Sequence, residues 1–188
     1  MLTRVRSILS YLTAAVLGLS GFGAAAVARD LDNILYLDLS TGGRVEILMR
    51  PDLAPTHIER IKTLTRQGFY DGLVFHRVID GFMAQTGDPE GTGAGGSDLP
   101  DLEAEFSEAP HLRGTVSMAR TDDPNSANSQ FFIMFMPNFQ LDGVYTAWGR
   151  VIKGMEFVDA IERGEPPANP DRIIKAQIAA DVAGQDGD

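Results

Sequence analysis

About eight short apolar or alternating runs, each cut off by glycine, proline or a cluster of turn residues, decide what this chain can fold into. They fall at residues 33–40, 44–49, 74–79, 82–86, 115–120, 130–136, 145–152 and 171–180. Each is of strand length. Thr41-Gly42-Gly43 reads as a hairpin turn between the first two, and Arg50-Pro51-Asp52 stops the second. Only two stretches carry a helical repeat. Pro55 suits a first helical turn, Ile58, Ile61, Leu64 and Thr65 follow at three- and four-residue spacing, and Gly68 ends the run. Met155, Val158 and Ile161, widened by Phe157 and Ala160, form the second, closed by Gly164. Pro166, Pro167 and Pro170 read as a rigid linker, and residues 181–188 as a frayed acidic tail. Strands and helices do not alternate, so the sheet is expected to be mainly antiparallel. Closing it removes exposed edges. The expected architecture is mainly β: a closed eight-stranded antiparallel β-barrel capped by two α-helices. No internal repeat is visible.

Arg4 and Arg6 precede an uncharged apolar run from Ile8 to Ala26, and Ala26-Val27-Ala28 offers a small-x-small cleavage site. Residues 1–28 are therefore expected to be a secretory signal peptide, cut after Ala28. The rival reading is an uncleaved membrane anchor, because the run is about long enough to span a bilayer. Gly18, Gly21 and Gly23, with the Ala-Val-Ala site, favour cleavage. Residues 29–188 then form one domain, with its core at about 32–180. Residues 1–28 hold two of the 16 basic residues and none of the 26 acidic ones, which leaves 14 basic against 26 acidic, a net charge of −12. Such a surface repels phosphate backbones and argues against a nucleic-acid partner. With no cysteine, the exported chain has no disulfide to form. No later segment is long and apolar enough to cross a membrane, so no stable insertion is expected after processing. A periplasmic or secreted location follows. The acidic surface and short strands point to a monomer.

The densest chemistry lies in Phe75-His76-Arg77-Val78-Ile79-Asp80-Gly81-Phe82-Met83-Ala84-Gln85-Thr86-Gly87-Asp88. Two short strands joined at Asp80-Gly81 send Arg77, Met83 and Gln85 to definable faces. A cation and an amide beside an apolar floor suit a neutral, amide-rich ligand. His57 and His111 are isolated and lack metal-ligand spacing. Ser117 and Ser129 show no paired His and Asp, which argues against serine hydrolysis. His76 is expected to point away from Arg77, as a hydrogen-bonded structural histidine. Gly91 to Ser97 reads as a flexible loop, with neither the Gly-Lys-Ser/Thr nor the helix of a phosphate site after it. Residues 98–108 read as a solvated acidic loop. Phe131 and Phe132 must face opposite sides of a strand. Trp148, the sole tryptophan, reads as core.

The chain resembles the cyclophilin-type peptidyl-prolyl cis-trans isomerases. The resemblance rests on the stretch from Phe75 to Asp88, on Gly91-x-Gly93-x-Gly95-Gly96, on Ser117-Met118-Ala119, on Asn128-Ser129-Gln130-Phe131-Phe132-Ile133 and on Leu141-Asp142-Gly143. These motifs stand in the family's order at near-family spacing and span about residues 32 to 180. The resemblance implies a cyclophilin-like barrel that isomerises Xaa-Pro bonds with no cofactor and no metal. It makes Arg77 the catalytic arginine. Phe82, Met83, Phe132 and Leu141 become the pocket for the proline ring, and Phe131 the core residue of its pair. Gln85 and Gln130 become polar wall groups, and Ala119 a backbone contact for the peptide. Tyr145 stands where many relatives carry histidine.

Two departures carry expectations of their own. Gln140 stands where well-known eukaryotic relatives carry a tryptophan that helps bind cyclosporin, which implies weak drug binding with small-peptide turnover largely kept. Arg120 replaces an asparagine and adds a cation beside the cleft. The expected partners are proline-containing peptides and unfolded exported proteins. The alternative from another class is a non-catalytic proline-peptide binding module or holdase chaperone on the same fold.

Overall fold

The structure, a computed structural model, describes residues 30–183. The expected signal segment and its cleavage site lie outside the described residues. Eight strands form one antiparallel sheet: β1 (Ile34–Leu39), β2 (Gly43–Met49), β3 (Arg77–Ile79), β4 (Met83–Thr86), β5 (Thr115–Met118), β6 (Phe131–Met134), β7 (Ala147–Lys153) and β8 (Ile173–Ile178). Their spatial order is β3-β4-β6-β5-β7-β2-β1-β8. The sheet curls strongly, but its ladder is not closed. Among the described residues no run of paired residues joins the end strands β3 and β8; the segment before β3 meets the start of β8 only through the isolated bridge of Val74 with Arg172 and the backbone bonds of Gly72 and Leu73 with Ile173 and of Phe75 with Asp171. The expected closed barrel is corrected to a curled, open one. The reason is local: residues 74–76, expected to extend β3, are not in a strand, so three residues remain to meet β8.

Alternation builds the core. Leu35, Leu37 and Leu39 of β1 face the same interior as Val45, Ile47 and Met49 of β2, and all six are buried. Phe131 and Trp148 complete it with edge-on rings 5.6 Å apart. Helix α1 (Pro55–Arg66) lays Ile58, Ile61 and Leu64 onto this core. Its first turn has no side-chain cap of its own. Glu105 serves instead, accepting from the backbone N–H of Thr56 and of His57 at 3.1 Å each. The second helix, α2 (Met155–Asp159), is shorter than expected. A third, α3 (Ala179–Val182), replaces the start of the expected frayed tail. Asp181 holds it to Arg66 at 2.9 Å, beside an ion pair of Lys62 with Asp32 at 2.6 Å. Among the described residues no helix is long and apolar enough to cross a membrane.

Candidate active site

The alternation that buries Val78, Ala84, Ile133 and Val116 in the core turns their neighbours outward. Register sets Arg77 opposite Gln85, Gln85 opposite Phe132 and Phe132 opposite Ser117, one row across four strands. A parallel row sets Ile79 opposite Met83 and Met83 opposite Met134. Met83, Phe132 and Met134 thus form a second buried apolar cluster, on the face away from the main core, with Phe82, Leu141 and Tyr145 packed against it.

A cleft of about 190 Å³ opens onto this cluster. Arg77, Phe82, Met83 and Gln85 line it from the β3–β4 hairpin, and Phe132 from β6. Ala119 and Arg120, just after β5, and Leu141 and Tyr145, before β7, close the other side. Those nine are all but one of the residues singled out from sequence. The tenth, Gln130, stands in an adjoining cavity of about 560 Å³ that shares Gln85, Ala119 and Arg120 with the cleft.

The polar side chains form one hydrogen-bonded line. Gln130 Nε2 donates to the carbonyls of Gly93 at 3.0 Å and Gly95 at 2.8 Å. Its amide oxygen must then face Gln85, and it accepts from Gln85 Nε2 at 2.8 Å. Gln85 Oε1 accepts in turn from Arg77 Nη1 at 3.4 Å. Arg77 Nε donates to Glu165 Oε2 at 2.8 Å. Nη2 of Arg77 makes no hydrogen bond among the described residues.

The line starts from the glycine-rich loop, which is tied down. Asp88, buried at its root, accepts from the backbone N–H of Glu90 at 2.8 Å, Thr92 at 2.9 Å and Gly93 at 2.5 Å. Burial pushes the Asp88 carboxyl up, but the N–H donors of Glu90, Gly93, Gly95 and Thr92 outweigh it and hold it below the ordinary aspartate value. A Cβ on Gly95 would sit 2.1 Å from Asp88 Oδ1, so the close approach needs glycine. The loop's glycines wrap an internal carboxylate, not a phosphate.

Arg120 is held as firmly. Its guanidinium lies 4.5 Å over the Tyr145 ring. It donates to the carbonyls of Thr121 at 2.7 Å and Val144 at 3.0 Å. Tyr145 meets Phe132 edge-on at 5.8 Å. The cation therefore belongs to the wall between the two cavities and does not swing freely in solvent. Gln140 is exposed in the 3-10 turn Phe139–Leu141.

Three histidine expectations change. His111 is not isolated. Its Nδ1 lies 2.9 Å from Asp142 Oδ1 and its Nε2 2.8 Å from Ser117 Oγ, so Ser117 does have a paired His and Asp. The His111 backbone N–H, and then its side chain, hold the Asp142 carboxyl below the ordinary value. This arrangement is structural, because Ser117 is wholly buried and no acyl group can reach it. His57 is also partnered, with Nδ1 2.6 Å from Glu105. His76 is buried; neither ring nitrogen makes a well-formed hydrogen bond among the described residues, although the Gln130 side chain and the Val74 backbone lie close enough to favour its charged form. Burial holds it below the ordinary histidine value, with Asp88 pulling the other way. Among the described residues no group of three or more His, Cys, Asp or Glu could hold a metal ion. Sequence reasoning missed Glu165, whose approach to Arg77 spans 88 residues.

The family model for cyclophilin type peptidyl-prolyl cis-trans isomerases matches residues 36–178. A probable peptidyl-prolyl cis-trans isomerase of Brucella suis is 50% identical over 195 residues, covering 95% of this chain and 98% of that protein. The crystal structure of the cyclophilin AquaCyp293 from Hirschia baltica superposes with a TM-score of 0.76 at 32% identity, over 82% of this chain and 77% of that one. A cyclophilin type isomerase of Cryptosporidium parvum, crystallised in the presence of the dipeptide Ala-Pro, gives 0.72 at 28% identity over 77% of this chain and 98% of that one. A family match along most of the described chain, a bacterial relative at half identity from end to end and the same curled eight-stranded fold agree: this chain belongs to the cyclophilin-type peptidyl-prolyl cis-trans isomerases.

Proposed function

We propose that the protein rotates Xaa-Pro bonds of exported proteins as they fold, with Arg77 as the catalytic group over the cleft floored by Phe132. Amide resonance opposes that rotation with a barrier of roughly 18–20 kcal/mol. No bond to carbon breaks, so the step needs no nucleophile. The site must bind the twisted amide better than either planar form. In the twist the prolyl nitrogen regains its lone pair and becomes an acceptor. Arg77 has donors to spare at Nη1 and Nη2. Phe82, Met83, Phe132 and Leu141 grip the ring while the preceding carbonyl turns, and their apolar surface takes the ring out of water beside the guanidinium. An acceleration of roughly 10⁵-fold asks for about 7 kcal/mol of differential binding. Ala119, Gln85 and Gln130 hold the peptide backbone alongside, and Arg120 and Tyr145 bound its far side.

The observation that carries the proposal is the meeting of one guanidinium and an apolar pit in a single small cleft. The Ala-Pro dipeptide present with the Cryptosporidium relative supports the same ligand chemistry. With residues 1–28 removed after Ala28, the domain works in the periplasm or outside the cell, as a monomer. Exposed Gln140 in place of an indole gives weak cyclosporin binding. Accelerated exchange of an Ala-Pro peptide, and faster proline-limited refolding of an unfolded protein, test the enzyme. A protein that binds the peptide without accelerating its exchange would instead be the binding module or holdase.

A further inference from the structure

Arg77 stands on a strand of only three residues, with 43% of its side chain exposed. A long, flexible side chain there populates many rotamers unless something holds it. Its bond to Gln85, at 3.4 Å, is too long to hold it alone. The hold comes from the other side of β3. Val78 and Gly164 exchange both backbone hydrogen bonds, at 2.8 Å each, in an isolated antiparallel bridge. One step along each segment sets Arg77 directly across from Glu165. A Cβ on Gly164 would lie 2.5 Å from Pro167 Cα, so the segment can take this path only with glycine there. Glu165 therefore continues the row that runs through Arg77, Gln85, Phe132 and Ser117. Its carboxylate takes the Nε–H of Arg77 at 2.8 Å, a short charge-assisted bond. With Nε engaged on one side and Nη1 touching Gln85 on the other, the planar fork has one orientation left. Nη2 makes no hydrogen bond among the described residues and keeps its donors.

We propose that Glu165 is the positioning residue of Arg77, a cross-strand carboxylate that aims the guanidinium at the twisted prolyl nitrogen. The inference rests on the catalytic role proposed for Arg77. Glu165 touches no substrate, so its loss acts on kcat and spares KM. An amide oxygen can accept the same Nε–H, so the conservative variant restores the aim without the charge.

The test measures kcat and KM on an Ala-Pro peptide for wild type, Glu165→Ala, Glu165→Gln and Arg77→Ala, with thermal unfolding of each. Glu165→Ala is expected to lower kcat about tenfold and leave KM within about twofold, because misplacement of a reacting group costs rate before binding. Glu165→Gln is expected to recover most of the loss, and the unfolding temperature to stay put. Wild-type kcat in Glu165→Ala overturns the inference. So does an equal loss in Glu165→Gln, which would make charge the cause, or a rise in KM, which would make Glu165 a substrate contact. If Arg77→Ala itself keeps the wild-type rate, the catalytic assignment fails. If Arg77→Ala is slow and Glu165→Ala is not, only the role of Glu165 falls.

Discussion

Phe131 and Phe132 are chain neighbours with opposite tasks. One fills the core beside Trp148, and the other floors the cleft. Adjacency on a strand was enough to separate them, because successive side chains leave opposite faces. The same rule gave Arg77, Met83 and Gln85 definable faces, and the family resemblance then assigned them to the site. Replacing Phe132 by leucine keeps the volume nearly filled but removes the flat face that a proline ring packs on. The Phe132→Leu variant should stay folded and raise KM for an Ala-Pro peptide about tenfold, read from its saturation curve. An unchanged KM would mean the ring sits elsewhere. Two residue-level facts were not legible. Glu165 reaches Arg77 only because Val78 pairs with Gly164, a contact no local pattern encodes. His111, Asp142 and Ser117 meet because the loop before β5 and the turn carrying Leu141 fold onto each other, and nothing in their spacing announces it.

Among the elements, the strands were legible and their ends were not. Residues 74–76 look like strand, yet β3 begins at Arg77, which leaves the ladder open. The apolar side chain of Phe75 is buried all the same, so the burial pattern persists without the ladder. The loop after β4 taught the opposite lesson. Its glycines announce backbone freedom, but here they allow close approach to Asp88, and through Gly93 and Gly95 they fix Gln130. A methyl group at Gly95 has no room beside Asp88 Oδ1. Gly95→Ala should cost about 2 kcal/mol, seen as a lower urea midpoint at unchanged slope. Peptide turnover should fall with it, as Gln130 loses its anchors. An unchanged midpoint would show that the loop carries no strain there.

At the scale of the molecule, several buried or tightly bonded groups set how the fold meets acid. Burial holds His57 below the ordinary histidine value, against the pull of Glu105. Backbone donors hold Asp88 below the ordinary aspartate value despite burial. In both cases the unfolded chain binds protons more readily than the folded one. Their stability contribution is therefore present above the unfolded-state values, about 6.5 for His and 3.9 for Asp, and is lost as pH falls below them. Thermal unfolding at high salt, which screens the acidic surface, should show a midpoint that drops on acidification. Asp88→Asn should flatten the most acidic part of that drop, and a midpoint that rises towards acid would contradict the assignment. The architecture as a whole was legible because an antiparallel curl of short strands and an amphipathic helix each leave a periodic trace. Its closure was not, because it depends on how two end strands meet. What the fold brings together is a guanidinium and an apolar pit in one small cleft on its outer face. Two-dimensional exchange spectroscopy of an Ala-Pro peptide with wild type and Arg77→Ala tests that most directly. Binding should be kept while interconversion on the protein falls at least about 100-fold, the scale expected for losing one aimed donor. Equal interconversion rates in the two proteins would contradict the account.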